Sequence, residues 1–397
     1  MAILSLEDQL EDLLSEPITS AMEREKSTFD ELTAPFEQII LFGAGNTGKK
    51  TLQVLRSHGI EPLAFADNAA AIWGQEIEGV RVLSPVDAAA KFGRSAVFVI
   101  TILAGNFLLI RKQLVELSCS KVVSFLSLFW KHPLECLPYW LVDLPHRTLS
   151  QKNDVLKAFA LLGDDESRRE YVAQVRWRLL QDFDSLPPPS TRDQYFPDDL
   201  FTLEANEVFV DCGSFDGDTI RAILKRRTDF RGIVALEPDP INFNRLQQYL
   251  SELPNVIRDK ILPLRLGVGA VKGKFRFEAA GNQGSNFSEQ GEIEAECNAL
   301  DNILDGYTPT YVKMDVEGAE LDTLSGAIRI MHQNFAIWAV SLDHKSEDLW
   351  RLPLFISSHT HGYRFFLRKY IGEIWDTVCY AVPKHRMAEN MPNCLIC

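Results

Sequence analysis

Residues 208–219 read VFVDCGSFDGDT: an apolar run that ends in Asp211-x-Gly213-x-x-x-Gly217, just where the following TIRAILKRR (219–227) should start a helix. Few architectures accept that order. Strand, glycine turn and helix form the unit of a parallel α/β sheet, in which ligands bind outside the carboxyl ends of the strands. Gly213 and Gly217 let bare backbone approach a ligand, and the helix presents its N-terminus there. Asp211, Asp216 and Asp218 place three carboxylates within the loop. Such a loop opposes a pyrophosphate and suits a cationic, amino-bearing ligand. S-adenosylmethionine, with a sulfonium and an ammonium, is a ligand of that kind.

The next strand, VALEPDP, carries Glu237 and Pro238 at its carboxyl tip, with Glu237 20 residues after Gly217. An acid there can accept both hydroxyls of a ribose. The structural alternative is that Glu237 and Asp239 cap the helix PINFNRLQQYL (240–250).

A chain of 397 residues exceeds one ordinary core, so two domains with connecting helices are expected. The boundaries read as a helical segment at 1–35, a small Rossmann-like nucleotide-binding domain at 36–128, a helical connection at 129–194 and a larger domain at 195–397. In the first segment Leu6, Leu10, Leu13 and Leu14 share a helical face. Between 36 and 128, QIILFG, EPLAFAD, AVFVIT and KVVSFLSL alternate with helical stretches, giving a small parallel sheet of about four strands. Residues 150–185 turn helical, with Tyr171, Val175, Leu179 and Phe183 at four-residue intervals, and SLPPPSTRDQYFPDD (185–199) is a proline-rich ordered connection. From 207, EVFVDCG, GIVALEP, ILPLRLGV, TYVKMDVEG and FAIWAVSLD are five strands in βα order. YRFFLRKYIGEIWDTVCYAVP (363–383) then reads as a hairpin turning at Gly372–Glu373. The expected fold class is therefore α/β: a C-terminal seven-stranded Rossmann-like sheet with a terminal antiparallel hairpin, plus a smaller N-terminal parallel α/β domain.

The formal charge of −14 argues against a nucleic-acid partner, since phosphate contacts need concentrated Lys and Arg. No apolar run reaches the length of a membrane span, and the acidic N-terminus lacks the basic start of a secretory signal. Seven scattered cysteines give no disulfide framework, and the one C-x-x-C pair, Cys394 and Cys397, lacks two further ligands for zinc. A reduced, cytoplasmic location is expected. Homo-oligomerisation stays open.

A second glycine loop complicates the picture. FGAGNTG (42–48) follows a strand with Gly43, Gly45 and Gly48, and Asp67 comes 19 residues after Gly48, which completes a dinucleotide fingerprint. This domain resembles nucleotide-binding domains found beside sugar-modifying enzymes. A bound nucleotide, a bound nucleotide-sugar and a packing solution with an empty crevice remain open readings.

FVDCGSFDGDT, LEPDP, ALDNIL, YVKMDVEGAELDTLSGA and GYRFFLRKY…WDTVCYAV, in that order, resemble the FkbM-type methyltransferase family over about residues 195–383. The resemblance implies an S-adenosylmethionine-dependent methyltransferase sheet. It also implies O-methylation of a sugar, glycan precursor or similar small molecule, nucleotide-linked or free. By that resemblance Asp211, Gly213, Phe215, Gly217 and Glu237 would be cofactor residues, and Asp216, Asp218, Pro238 and Asp315 are expected in the same cofactor site. The serine stretch of that family corresponds to GNQGSNFS (281–288), with Ser285 in it.

A hydroxyl acceptor needs its proton drawn off by a base or a metal. Asp315 ends the fourth strand, Glu317 and Glu320 follow, and Asp343 and His344 end the fifth. His344 is the expected base, with Asp315 and Asp343 beside it, and no metal is assigned. Mg²⁺ on Asp315 and Asp343 is the lesser alternative. Lys313, sharing a strand face with Asp315, reads either as part of the pocket or as a buried partner of a carboxylate. Two other functions fit the sequence: an NAD(P)-dependent sugar-nucleotide oxidoreductase using the 43–48 loop, and a non-catalytic nucleotide- or nucleotide-sugar-binding protein.

Overall fold

The computed structural model describes residues 4–103, 107–279, 281–282, 284–287 and 291–388. Cys394 and Cys397 lie outside the described residues. Two compact units share the chain. One comprises residues 1–153, 169–189 and 371–375, and the other residues 154–168, 190–370 and 376–397.

The first unit is built on strands β1 (Gln38–Phe42), β2 (Ala64–Ala66), β3 (Glu76–Ile77), β4 (Val80–Leu83), β5 (Ala96–Ile100) and β6 (Lys121–Ser124), in the order β3-β4-β2-β1-β5-β6. All pairs are parallel except β3 with β4. The sheet thus has six strands rather than about four. Glu78 and Gly79 join the additional pair with φ of 51° and 78°, the left-handed pair of a tight hairpin turn. A Glu at the first turn position hid that hairpin, because Asn or Asp is the usual signal there. The KVVSFLSL run is strand only to Ser124; its second half belongs to the helix Leu126–Lys131. Every residue of β5 is buried, as expected for a central parallel strand covered on both faces. Near the N-terminus, Leu10, Leu13 and Leu14 are buried by the short helix Leu6–Leu13.

In the second unit the strands are β7 (Val208–Cys212), β8 (Gly232–Leu236), β9 (Ile261–Leu264), β10 (Gly267–Val268), β11 (Gly273–Glu278), β12 (Asn286–Phe287), β13 (Ile293–Asn298), β14 (Tyr311–Met314), β15 (Ile337–Ser341), β16 (Tyr363–Lys369) and β17 (Thr377–Pro383). Seven of them form the main sheet, β16-β17-β15-β14-β7-β8-β9, with β17 antiparallel to both neighbours. This is the expected mixed sheet. The chain leaves β7 toward β8 on one side and returns at β14 on the other, so the order reverses at β7. The remaining four strands make a separate small sheet, β10-β13-β11-β12, that periodicity did not reveal. ILPLRLGV is split between the two sheets, and β12 has only two residues, too few to show a repeat. Phe209, Tyr311, Ile337, Phe366 and Tyr380 pack the core of the main sheet.

Among the described residues no helix is long and apolar enough to cross a membrane. The described cysteines, Cys119, Cys136, Cys212, Cys297 and Cys379, are buried and free of disulfides.

One glycine in the first unit is required by packing alone. A Cβ on Gly48 would lie 2.0 Å from the backbone oxygen of Gly43, whereas one on Gly45 would meet nothing within 4 Å. Gly48→Ala should therefore lower stability by about 1–3 kcal/mol, the usual range for overpacking. Gly45→Ala should be neutral or slightly stabilising. Urea unfolding followed by circular dichroism distinguishes the two; equal midpoints would refute the close approach.

Candidate active site

Three strand ends converge where the order of the main sheet reverses. Gly213 follows β7, Asp315 follows β14, and Asp343 and His344 come shortly after β15. Gly213 has φ +81°, and a Cβ on it would fall 1.9 Å from the Asp315 carbonyl oxygen. Only glycine lets these two loops touch. Phe215 and Gly217 also adopt left-handed backbone, with φ of 47° and 88°, which aims the loop back over the start of the helix Asp218–Leu224.

Asp211 and Lys313 are register partners on adjacent strands and both are buried. Lys313 Nζ lies 3.1 Å from Asp211 Oδ1 and donates to the Gly213 carbonyl at 2.6 Å. Burial pushes the Asp211 carboxyl up to about 6, with Lys313 opposing the rise. Burial would lower the Lys313 ammonium, but Asp211, Asp315 and Asp218 outweigh it and hold the side chain charged. Lys313 is therefore the buried partner of a carboxylate, one of its two sequence readings. Asp216 likewise has a cation, Arg221, which also donates to the Asp216 carbonyl at 3.0 Å. Two of the loop's three carboxylates thus carry a cationic partner, and the repulsion of a pyrophosphate inferred from composition is correspondingly weaker. Asp218 is exposed and accepts from the Thr219 amide.

Glu237 sits just past β8. Its Oε2 accepts from the Phe215 amide at 2.8 Å and its Oε1 from the Asp239 amide at 2.9 Å. The carboxylate therefore ties the tip of one strand to the glycine loop of another. Burial pushes its pKa up to about 7, against the two backbone donors. Pro238 is half-buried beside it. The helix cap is Asp239, whose Oδ1 accepts from Ile241 and Asn242. Its other oxygen accepts from Ser285 Oγ at 2.7 Å and from the Gly281 amide. Ser285 thus secures that cap, and Glu237 is separate from it.

At the ends of β14 and β15, His344 is 8% exposed and surrounded by acids. Its Nδ1 is 2.8 Å from Glu320 Oε1, and its Nε2 is 3.5 Å from both Asp315 Oδ1 and Glu317 Oε2. Burial alone would strip the ring of its proton, but Glu320, Asp343 and Glu317 outweigh it and hold the pKa well above the ordinary histidine range. Glu320 is itself fixed by the Val316 amide at 3.0 Å. Asp315 Oδ2 accepts from the Tyr195 hydroxyl at 2.9 Å, and that hydroxyl lies 3.2 Å from Ser341 Oγ. Burial raises Glu317 to about 8 and Asp343 to about 7. Asp343 Oδ2 accepts from the Asp376 amide. Expected residues His344, Asp315 and Asp343 are thus brought to one sheet edge. Tyr195 was missed: it lies in the proline-rich stretch, where no periodicity connects it to β14.

The other glycine loop lies in the first unit. Gly43 has φ +108°, Gly45 precedes the helix Asn46–Ser57, and Asp67 follows β2. Asp67 accepts from the Ala44 amide at 2.9 Å and from Ala69 at 2.8 Å, so both of its oxygens hold nearby backbone.

Residues 211–378 match the family model of the methyltransferase FkbM domain. Over 160 residues the chain is 28% identical to the hexuronic acid methyltransferase AglP of Haloferax volcanii, a match covering 38% of this chain and 64% of that protein. The methyltransferase FkbM structure from Methylobacillus flagellatus KT superposes with a TM-score of 0.75 at 21% identity, covering 95% of this chain and 99% of that one, a likeness of fold. The glycine loop, the strand-tip acid and the KMDVEGAE turn all fall within residues 211–378, the segment that matches the methyltransferase FkbM domain.

Proposed function

We propose that the chain transfers a methyl group from S-adenosylmethionine to a hydroxyl of a sugar, glycan precursor or similar small molecule, free or nucleotide-linked. The observation that supports this most is the bond between Glu237 and the Phe215 amide, which joins a strand-tip acid to the glycine loop at the switch point. The surroundings fit such a cofactor. Gly213 and Gly217 are glycines whose added Cβ atoms would collide with neighbours, and neither oxygen of the buried Asp211 makes a geometrically sound hydrogen bond among the described residues. In this reading Asp211, Gly213, Phe215, Asp216, Gly217, Asp218, Glu237, Pro238 and Asp315 hold the cofactor, with Glu237 on the ribose. When bound, S-adenosylmethionine supplies a methyl group on a sulfonium, an electrophile open to in-line displacement by oxygen.

The chain's own residues then position and deprotonate the acceptor. Positioning is the larger part of the barrier reduction in such a displacement. The surrounding acids hold the His344 proton, so the ring serves as base in its neutral form, at raised pH. In that form its Nε2, facing Asp315 Oδ1, draws the proton from the acceptor hydroxyl, with Asp315 and Asp343 orienting it or holding the acceptor's other hydroxyls. The named activity of the archaeal relative, on a hexuronic acid, supports a sugar acceptor. Free buried cysteines support a reducing, cytoplasmic setting. An NAD(P) site at Gly43, Gly45, Gly48 and Asp67 is the competing use of the chain.

Calorimetry with S-adenosylmethionine and with NAD separates these uses. Glu237→Ala should weaken S-adenosylmethionine binding by about 1.5–3 kcal/mol, the value of lost charge-assisted hydrogen bonds. Unchanged affinity would remove Glu237 from the site.

Affinity should also follow the ionisation of Glu237, near which Asp239 and Lys313 are the other charged groups. A ribose is better held by the ionised carboxylate. With the pKa raised to about 7, affinity should be full above that pH and fall by up to about tenfold per unit below it. The same shift opposes folding: stability contributed elsewhere is reduced as pH rises from 4.5 toward about 7. Titrations at three pH values check this, and a flat profile would exclude an ionised Glu237 as the ribose ligand.

In steady-state assays with labelled methyl donor and candidate sugars, His344→Ala should lower turnover by about 10²–10⁴-fold. Donor affinity should be nearly unchanged. Full activity in that variant would leave positioning as the sole catalytic device.

A further inference from the structure

We infer that Asp315, Glu317 and His344 form a binding site for one divalent metal ion, which holds the oxygens of the acceptor. The second half of this inference rests on the methyltransferase reading; the first does not. The ligand atoms of these three residues lie within 4.8 Å of one another. His344 Nε2 is 3.5 Å from Asp315 Oδ1 and 3.5 Å from Glu317 Oε2. That separation is long for a hydrogen bond between nitrogen and oxygen. It matches the spacing of two ligands on one ion: with metal–ligand bonds of about 2.1 Å, neighbouring ligand atoms lie about 3.0–3.4 Å apart, from octahedral to tetrahedral geometry.

The support around the ring points the same way. Glu320 Oε1 takes Nδ1 at 2.8 Å and is anchored by the Val316 amide, so the ring is turned with Nε2 toward the two carboxylates. A carboxylate on the far nitrogen is how metal-binding histidines are commonly oriented. Glu320 is 1% exposed and its Oε2 has no hydrogen-bond partner among the described residues. Its negative charge is buried against the ring that the ion would share. The opposite side is held by Tyr195, whose hydroxyl fixes the other oxygen of Asp315. Glu317 reaches the cluster from left-handed backbone, φ +53°, followed by Gly318 at +96°.

Two oxygens and one imidazole nitrogen suit Mg²⁺, Mn²⁺ or Zn²⁺, with Mn²⁺ accommodating both donor types. Three protein ligands leave coordination positions for two neighbouring oxygens of the acceptor, so the ligand class is a vicinal diol or a hydroxy-carboxylate. A hydroxyl bound to the ion ionises more readily, so the ion takes over the role given above to the neutral His344 ring, whose Nε2 is then a ligand and not a base. Asp343 is not a ligand in this assignment; one of its oxygens holds the Asp376 amide.

Electron paramagnetic resonance titration of the metal-stripped full chain with Mn²⁺ tests the assignment. One tightly bound Mn²⁺ per chain is expected, weakened at least tenfold by Glu317→Gln and by His344→Gln. Glu320→Gln, a positioning change, should weaken it about tenfold. His58→Ala should leave it intact, since His58, His132 and Glu135 form the other cluster able to hold an ion among the described residues. S-adenosylmethionine binding, measured on the same samples, should survive all four changes and reports that each variant is folded. Absence of stoichiometric Mn²⁺, or binding unchanged in both Glu317→Gln and His344→Gln, overturns the metal site while leaving the methyltransferase reading standing. Mn²⁺ bound as expected in a chain that does not bind S-adenosylmethionine overturns that reading and keeps the metal site.

Discussion

The pairing of Asp211 with Lys313 holds the centre of the second unit together. Two opposite charges are buried between adjacent parallel strands, 3.1 Å apart. Ionised groups in such a place are strongly disfavoured unless paired, and removing one partner of a buried pair typically costs about 3–5 kcal/mol. The pair therefore acts as a lock on register: a slip of β14 against β7 by one residue would leave both charges stranded. Lys313 also donates to the Gly213 carbonyl, so the same ammonium fixes the start of the glycine loop. Positioning of the loop and alignment of the sheet are consequences of one interaction.

From that lock the rest of the edge follows. With β14 in register, Asp315 comes out beside Gly213, and the missing side chain at 213 makes room for it. Tyr195 then reaches Asp315 from the preceding connection, and β15 delivers His344 among Asp315, Glu317 and Glu320. Concentrating carboxylates in a partly dry edge would be unfavourable alone. The two buried cations, Lys313 and the charged His344, offset it, as shown by the lowered pKa of Asp315 despite its surroundings. Glu317 and Asp343, less well compensated, are instead pushed upward. The edge is thus divided into carboxylates that stay ionised and carboxylates that hold protons more readily.

The first unit shows the same device used for packing. Gly48 lets its helix press against the carbonyl of Gly43, and Asp67 draws in the loop through the Ala44 amide. A glycine fingerprint therefore signals close backbone approach before it signals any ligand. Asp67 bridges from the end of β2 to the glycine loop through the Ala44 amide and to Ala69, the same arrangement by which Glu237 holds Phe215 and Asp239.

The sequence by itself determined the elements governed by neighbours along the chain. Buried runs such as VFVDC and AVFVI announced parallel strands, because strands covered on both faces are near-continuously apolar, Asp211 being the exception that its buried partner Lys313 permits. The turn glycines 213 and 217, the strand-tip Glu237 and the terminal hairpin were legible for the same local reason. The β3–β4 hairpin and the two-residue β12 were not, since a Glu-Gly turn and a two-residue strand leave almost no pattern. What only the tertiary structure decided is who faces whom. Asp211 meets Lys313, Tyr195 meets Asp315, and His344 meets Glu320 across large sequence separations. Such partners are set by strand order and register, and no local propensity encodes those. The charge state of each acid depends in turn on that arrangement, because burial and neighbouring charge, rather than residue type, fix where a carboxyl keeps its proton.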